Sequence, residues 1–187
     1  MHPALMRSEG VSETLTAPSS APSSWERFEA LYRSSRDDVY AYVCTLLRDP
    51  AAAEDVTALA FERAYRRRRT FDRRRGEERA WLFGIARNAA LDELRRRRRV
   101  AALVTEPAEE SVSAEDEDGV EVALRRTALQ AALAKLPARE REIVALKFHA
   151  GLSNADLARV LGVSESNAGT LLYRTMEKLR KACNATA

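Results

Sequence analysis

The chain has 187 residues, 45% hydrophobic and 32% charged, with a formal net charge of +3. Such a length suits one medium domain or two small ones, and scarce Gly (7) and Pro (6) amid abundant Ala, Leu, Arg and Glu favour helix over sheet. No apolar run approaches the roughly 18 residues that cross a bilayer, which excludes membrane insertion. The two cysteines, Cys44 and Cys183, fit no metal spacing, and His2 and His149 are equally isolated. Neither a metal nor a cofactor is expected, and the thiols are those of a reduced, cytoplasmic protein.

Residues 1–24 are rich in Ser, Ala, Pro and Thr and lack both a basic leader and an apolar core, so they predict a disordered tail rather than a signal peptide. A first helix is predicted over Trp25–Leu47, where Phe28, Leu31, Tyr32, Val39, Tyr42, Val43, Leu46 and Leu47 mostly follow helical spacing. Asp49-Pro50 breaks it. A second helix begins near Ala51 and ends in the basic run Arg66–Arg69, with Glu54 and Asp55 near its start, charges that complement the helix dipole. After a loop over Thr70–Gly76, a third helix is predicted from Glu77 to Arg98. Its stripe of Trp81, Leu82, Ile85, Ala89 and Leu94 closes a three-helix core.

Periodicity then fails. Residues 100–121 hold eight acidic and no basic side chains and no aromatic residue, which predicts a linker. Helices resume over Val122–Leu136, Ala138–His149, Asn154–Leu161 and Glu165–Ala182, with Pro137 opening one and Gly151 and Gly162 punctuating the later ones. The expected architecture is all-α: two small helical domains, residues 25–99 and 122–187, joined by a flexible acidic linker. By segment the charge is +5 over residues 1–99, −8 over 100–121 and +6 over 122–187. Two basic lobes around an acidic tether suit a protein whose separate surfaces meet a polyanion.

The most specific local pattern spans Asn154–Tyr173. Ala158 falls where two helices must approach closely, Gly162 in a turn that calls for positive φ, and Ala168 where the second helix packs back on the first. Leu157, Leu161, Val163, Leu172 and Met176 supply a shared core, and Ser153 and Ser164 precede the two helices as caps. An ordinary helical hairpin is the plainer reading. The spacing fits better a helix-turn-helix whose second helix enters the major groove, with Ser166, Asn167, Thr170, Tyr173 and Arg174 as its candidate contacts to bases and phosphates. In the first lobe, an Asn, an Asp and several Args along one helix beside aromatics are residue types that hold an unstacked base and its phosphates. Taken alone, Trp81 is better read as core, and the Arg run can be read as a solvated helix end.

Four strings together carry a family likeness: Ala53-Glu-Asp55 with Phe61; Trp81-Leu82 through Ile85-Ala-Arg-Asn88, Asp92 and Arg95-Arg96; Leu136–Val144; and Gly151-Leu-Ser153 with Leu161–Ser164. In this order they resemble bacterial RNA polymerase sigma factors of the extracytoplasmic-function (ECF) type, over residues 25–99 and 122–183. The resemblance implies a promoter-specificity subunit, not an enzyme, that binds core RNA polymerase and recognises and melts promoter DNA. It assigns core-polymerase docking to Glu54, Asp55 and Phe61, the −10 element to Trp81, Arg87, Asn88, Asp92, Arg95 and Arg96, and the −35 element to the recognition-helix residues above. It also implies a linker that threads polymerase channels and an anti-sigma factor as regulator. Two departures stand out: Ala58 and Leu59 occupy positions that are commonly Gln and Glu, and Gly169 and Leu171 occupy commonly basic ones. A stand-alone helix-turn-helix regulator is the alternative; it expects a dimer on a palindromic site and leaves the Trp81–Arg96 constellation unexplained.

Overall fold

The computed structural model describes residues 23–102 and 120–184. The expected tail (1–24) and acidic linker (100–121) fall almost wholly outside them. Every regular element among the described residues is helical: α1 Ser24–Leu47, α2 Pro50–Arg67, α3 Glu78–Ala101, α4 Val120–Ala134, α5 Ala138–Phe148, α6 Asn154–Leu161 and α7 Glu165–Asn184, with short 3-10 turns at Arg68–Thr70 and Arg73–Arg75. The third helix thus runs three residues past its expected end, into the first positions of the expected linker.

The helix ends follow from local chemistry. Ser23 caps α1 in a reciprocal box, its hydroxyl accepting from the Glu26 amide (3.2 Å) while its own amide donates to the Glu26 carboxylate (2.6 Å). Arg48, at φ 53°, turns the chain out of α1, and Asp49 at once caps α2 by accepting from the Ala52 amide, with Pro50 in the first turn.

Alanines let the first three helices approach closely. Ala53, Ala60 and Ala64 of α2 and Ala86 and Ala90 of α3 are fully buried around Val39, Tyr42, Val43, Leu82 and Phe83. Trp81 and Leu94, expected in this core, are only half-buried, and Phe83, edge-on to Tyr42 at 5.5 Å, holds its centre instead.

In the second lobe, α6 and α7 pack through Leu157, Ala158 and Ala168, and Gly162 takes the expected left-handed conformation (φ 69°) as the C-cap of α6. Ser153 and Ser164 accept from the amides of Asp156 and Asn167, as their capping roles require. Met176 is a correction: its side chain is exposed, because the buried stripe of α7 passes through Ala168, Thr175 and Leu179, one residue off.

The lobes do not stand apart. Helix α1 packs on α5 and α3 on α6, and one apolar core runs from Val39 and Leu82 through to Ile143, Leu146 and Leu157.

Candidate nucleic-acid interface

On the outer face of α1 and α2 lies a cleft of about 530 Å³, walled by Tyr32, Arg36 and Tyr40 of α1 and by Glu54, Thr57 and Ala58 of α2. Glu54 and Asp55 are exposed, as a docking role requires. Phe61 is not: it is 5% exposed, since it follows Thr57 by one turn on the core-facing stripe, and its ring lies under that of Tyr32 at 4.8 Å. Tyr32, 41% exposed, lines the cleft together with Tyr40 and Phe61. Leu59 packs against the core, so only Ala58 of the two departures faces the cleft.

A second cleft, about 600 Å³, opens between the end of α2, the following loop and α3. Trp81, Ile85 and Asn88 are spaced by one turn each and line its α3 wall; Phe71 from the loop lies 5.5 Å from Trp81 at 48°, and Arg67 and Thr70 close the other side. Two tilted rings beside an exposed amide that both donates and accepts make a pocket fitted to a stacked, edge-read base. Its remaining wall comes from the other lobe. Arg159 and Val160 of α6 line it, and the Arg159 guanidinium lies where a Cβ on Gly76 (φ 139°) would stand. Only glycine allows both that backbone and that approach.

The other expected residues of α3 divide. Asp92, Arg95 and Arg96 continue the exposed face from Asn88; Asp92 pairs with Arg95 (3.1 Å) and Arg63 (3.4 Å). Arg96 and Arg97 grip Glu93, whose carboxyl they hold down at about 2. Arg87 lies off this face. Its Nε donates to the Glu142 carboxylate of α5 at 2.6 Å, with the two side chains 22% and 10% exposed. The Tyr42 hydroxyl donates to the same oxygen at 3.4 Å, and burial, with the Glu142 charge adding to it, raises the Tyr42 pKa well above its ordinary value.

A neighbouring arginine absent from the expectations binds the lobes more fully. Arg79 spends all five donor hydrogens: on Ser34 O, Ser35 Oγ and Asp38 of α1, and on the carbonyls of His149 and Ala150 beyond α5. The only sequence signal for Arg87, Arg79 and Glu142 was that they are charged residues on apolar-rich helices. Phe71, also missed, stands between two arginine runs, and an isolated aromatic in such a loop was a usable sign.

The recognition helix has a different setting. Ser166, Asn167, Thr170, Tyr173 and Arg174 fall on one side of α7 and all are exposed, Tyr173 by 68%. Leu171 packs against the core and Gly169 is half-buried, so position 171 lies off the reading face whichever residue it holds. Among the described residues no cluster of His, Cys, Asp or Glu could hold a metal, and no helix is long and apolar enough to cross a membrane.

These two faces coincide with two family matches: sigma-70 region 2 matches residues 31–100, and sigma-70 region 4 matches residues 126–179. The chain is 33% identical over 153 residues to the ECF RNA polymerase sigma factor SigL of Mycobacterium tuberculosis, covering 81% of this chain and 85% of SigL. It is 36% identical over 158 residues to the ECF sigma factor BldN of Streptomyces coelicolor, covering 83% of this chain and 60% of BldN. Its fold is similar to that of the sigma factor RpoE of Bartonella quintana, solved in complex with the anti-sigma factor NepR (TM-score 0.73, 22% identity, 84% of this chain and 97% of RpoE). The chain belongs to the sigma-70 family of transcription initiation factors. Within that family it is an ECF sigma factor, an alternative sigma factor that directs promoter-specific initiation.

Proposed function

We propose that the two faces divide promoter recognition between them. Residues 25–99 dock on core polymerase through the Tyr32, Glu54 and Asp55 surface and read the −10 element, one extruded base entering the pocket of Trp81, Phe71 and Asn88. Residues 122–187 read the −35 element as duplex through Ser166, Asn167, Thr170, Tyr173 and Arg174. Asp92, Arg95 and Arg96 extend the −10 surface along α3. The observation that carries this reading is the base-sized cleft with two tilted aromatic rings and an exposed amide.

Arg87 serves −10 binding only after release from Glu142. The two elements lie about 25 base pairs apart, roughly 85 Å at 3.4 Å per pair, which lobes in contact cannot span. The packed form is therefore a non-reading form, and polymerase selects the open one. An anti-sigma factor, as RpoE has in NepR, would regulate the protein by favouring the closed form, and the setting is the cytoplasm.

The test is transcription in vitro with core polymerase across a genomic library. Initiation from a discrete promoter set that neither component supports alone is expected. Asn88→Ala should alter −10 preference while core binding stays intact, and an unchanged preference would remove the role given to Asn88.

A further inference from the structure

The turn that closes α2 carries a pattern that neither reading face uses. Thr70 follows Arg66-Arg67-Arg68-Arg69 and precedes Phe71. Among the described residues, no other serine or threonine has cations at both the second and the third position before it. The fold accounts for part of the run: Arg66 pairs with Glu62 at 2.6 Å, and Arg68 donates to the Tyr65 carbonyl at 2.7 Å and lies over the Tyr65 ring. Arg67 and Arg69 are exposed, and their side chains make no ion pair or hydrogen bond to any described residue. Compensation of the helix dipole favours cations at this end of α2. It does not call for the hydroxyl or the ring that follow them.

Thr70 is exposed in the packed chain, and its hydroxyl donates to the Arg67 carbonyl at 2.8 Å. Arg68–Thr70 is a single 3-10 turn, which opens more readily than an α-helix. Drawn out, the segment offers guanidinium groups three and two positions before a hydroxyl, and an apolar ring one position after it. That spacing suits a protein kinase whose peptide groove sets carboxylates against the cations and an apolar socket beyond the hydroxyl. The surroundings also suit the product. Thr70 and Arg67 line the base pocket, and the adjoining cleft, about 340 Å³, is lined by Arg27, Arg69 and Arg73. Their guanidinium forks match phosphate oxygens and offset the cost of an anion at a helix C-terminus.

We propose that Thr70 is a phosphorylation site for an arginine-directed serine/threonine kinase, and that phosphate there shuts the base pocket. The Thr70 oxygen attacks the γ-phosphorus of ATP, its proton passes to the kinase's catalytic carboxylate, and ADP leaves with the electron pair of the bridging oxygen. The product adds a charge of about −1.5 to −2. It stands across the pocket from Trp81 and Asn88, where it repels the phosphates of an incoming strand. Glu54 and Asp55 on the outer face and Asn167 and Arg174 on α7 lie away from it. The phosphorylated chain therefore loads onto polymerase but does not open DNA. The acceptor stands on its own; its consequence rests on the −10 reading.

The test treats the full-length protein with ATP and the catalytic subunit of cyclic-AMP-dependent protein kinase, an arginine-directed enzyme, and locates phosphate by tandem mass spectrometry. Thr70 should be phosphorylated, Thr70→Val should lose that phosphate and Thr70→Ser should regain it. Arg67→Gln should slow incorporation about tenfold, since the cation three positions before the hydroxyl is gone. In treated against mock-treated protein, permanganate footprinting with core polymerase should show promoter opening reduced about tenfold. Core binding by fluorescence anisotropy should stay the same, and treatment of Thr70→Val should alter neither readout. Absence of phosphate from Thr70 in the folded chain, or an unslowed rate in Arg67→Gln, would overturn the acceptor. Promoter opening unchanged by full phosphorylation, or core binding lost with it, would overturn the switch. Untreated protein that initiates nowhere would instead count against the −10 reading, and the mass spectrum would still decide the acceptor.

Discussion

The two faces proposed to read DNA differ in accessibility. The recognition helix α7 presents Asn167, Thr170 and Arg174 to open solvent, whereas the Trp81–Asn88 pocket has a wall made by α6 of the other lobe. The difference follows from which side chains were available to satisfy one another. The exposed side of α7 from Ser166 to Arg174 is mostly polar with a single cation, Arg174, and offers the arginines of the first lobe no counter-charge to pair with. Helix α3 offers long guanidinium groups on the side that meets α5 and the α5–α6 loop, and Glu142 and two free carbonyls there can accept from them.

The sharpest way to break that contrast is Arg79→Ala. It removes five donated hydrogen bonds, leaves Asp38 without its counter-ion and leaves the buried Ser35 hydroxyl only its long contact with Ser34, at a cost of about 3 kcal/mol. Small-angle scattering should show a larger radius of gyration; an unchanged one would mean the apolar interlobe core suffices. Glu142→Gln is next, weakening closure by about 2 kcal/mol because the Arg87 charge loses its counter-ion inside the interface. Opening returns Arg87 to water, so the effect falls short of a broken pair held in a fixed core. Binding of core polymerase should tighten accordingly, and no change would argue that the closed form is not in competition with it.

Smaller effects sharpen the same contrast. Arg159→Ala trims the wall over the base pocket, and with Trp25 replaced by Phe the emission of Trp81 should become more quenchable by acrylamide, while α7-dependent duplex binding holds. Gly169→Ala should stabilise the second lobe by up to about 1 kcal/mol in thermal unfolding. A Cβ there meets only the Asn154 side chain at 3.6 Å, ordinary contact, and the helix gains propensity. Least of all is pH. Burial lowers the His149 pKa below 6.5, opposed in part by Asp38. Above 6.5 the ring is neutral in packed and released chain alike. Below it the released chain takes up a proton that the packed form resists, so stability should fall from pH 6.5 downward, and His149→Gln should abolish that component.

Much of the second lobe was legible in the sequence. Ala158, Gly162 and Ala168 are residues whose smallness or backbone freedom a helix-turn-helix requires, and each sits where its spacing puts it. Met176 was misplaced because hydrophobicity alone cannot distinguish the buried position from its neighbour when the buried residue is a threonine; the Thr175 hydroxyl satisfies itself on the Leu171 carbonyl, which makes its burial cheap. Phe61 shows a related limit, being largely buried while still lining the α1–α2 cleft. A family motif marks the position but not whether the ring points to partner or core.

The sequence by itself determined the helices, their caps and breaks, the family strings and the segregation of charge, because each depends on residues within a few positions of one another. Tertiary structure alone decided that Arg87 meets Glu142 across 55 positions, that Arg79 joins α1 to the far lobe, and that Arg159 stands over the base pocket. A buried charge takes whichever counter-charge the packing brings near, and periodicity carries no record of that choice.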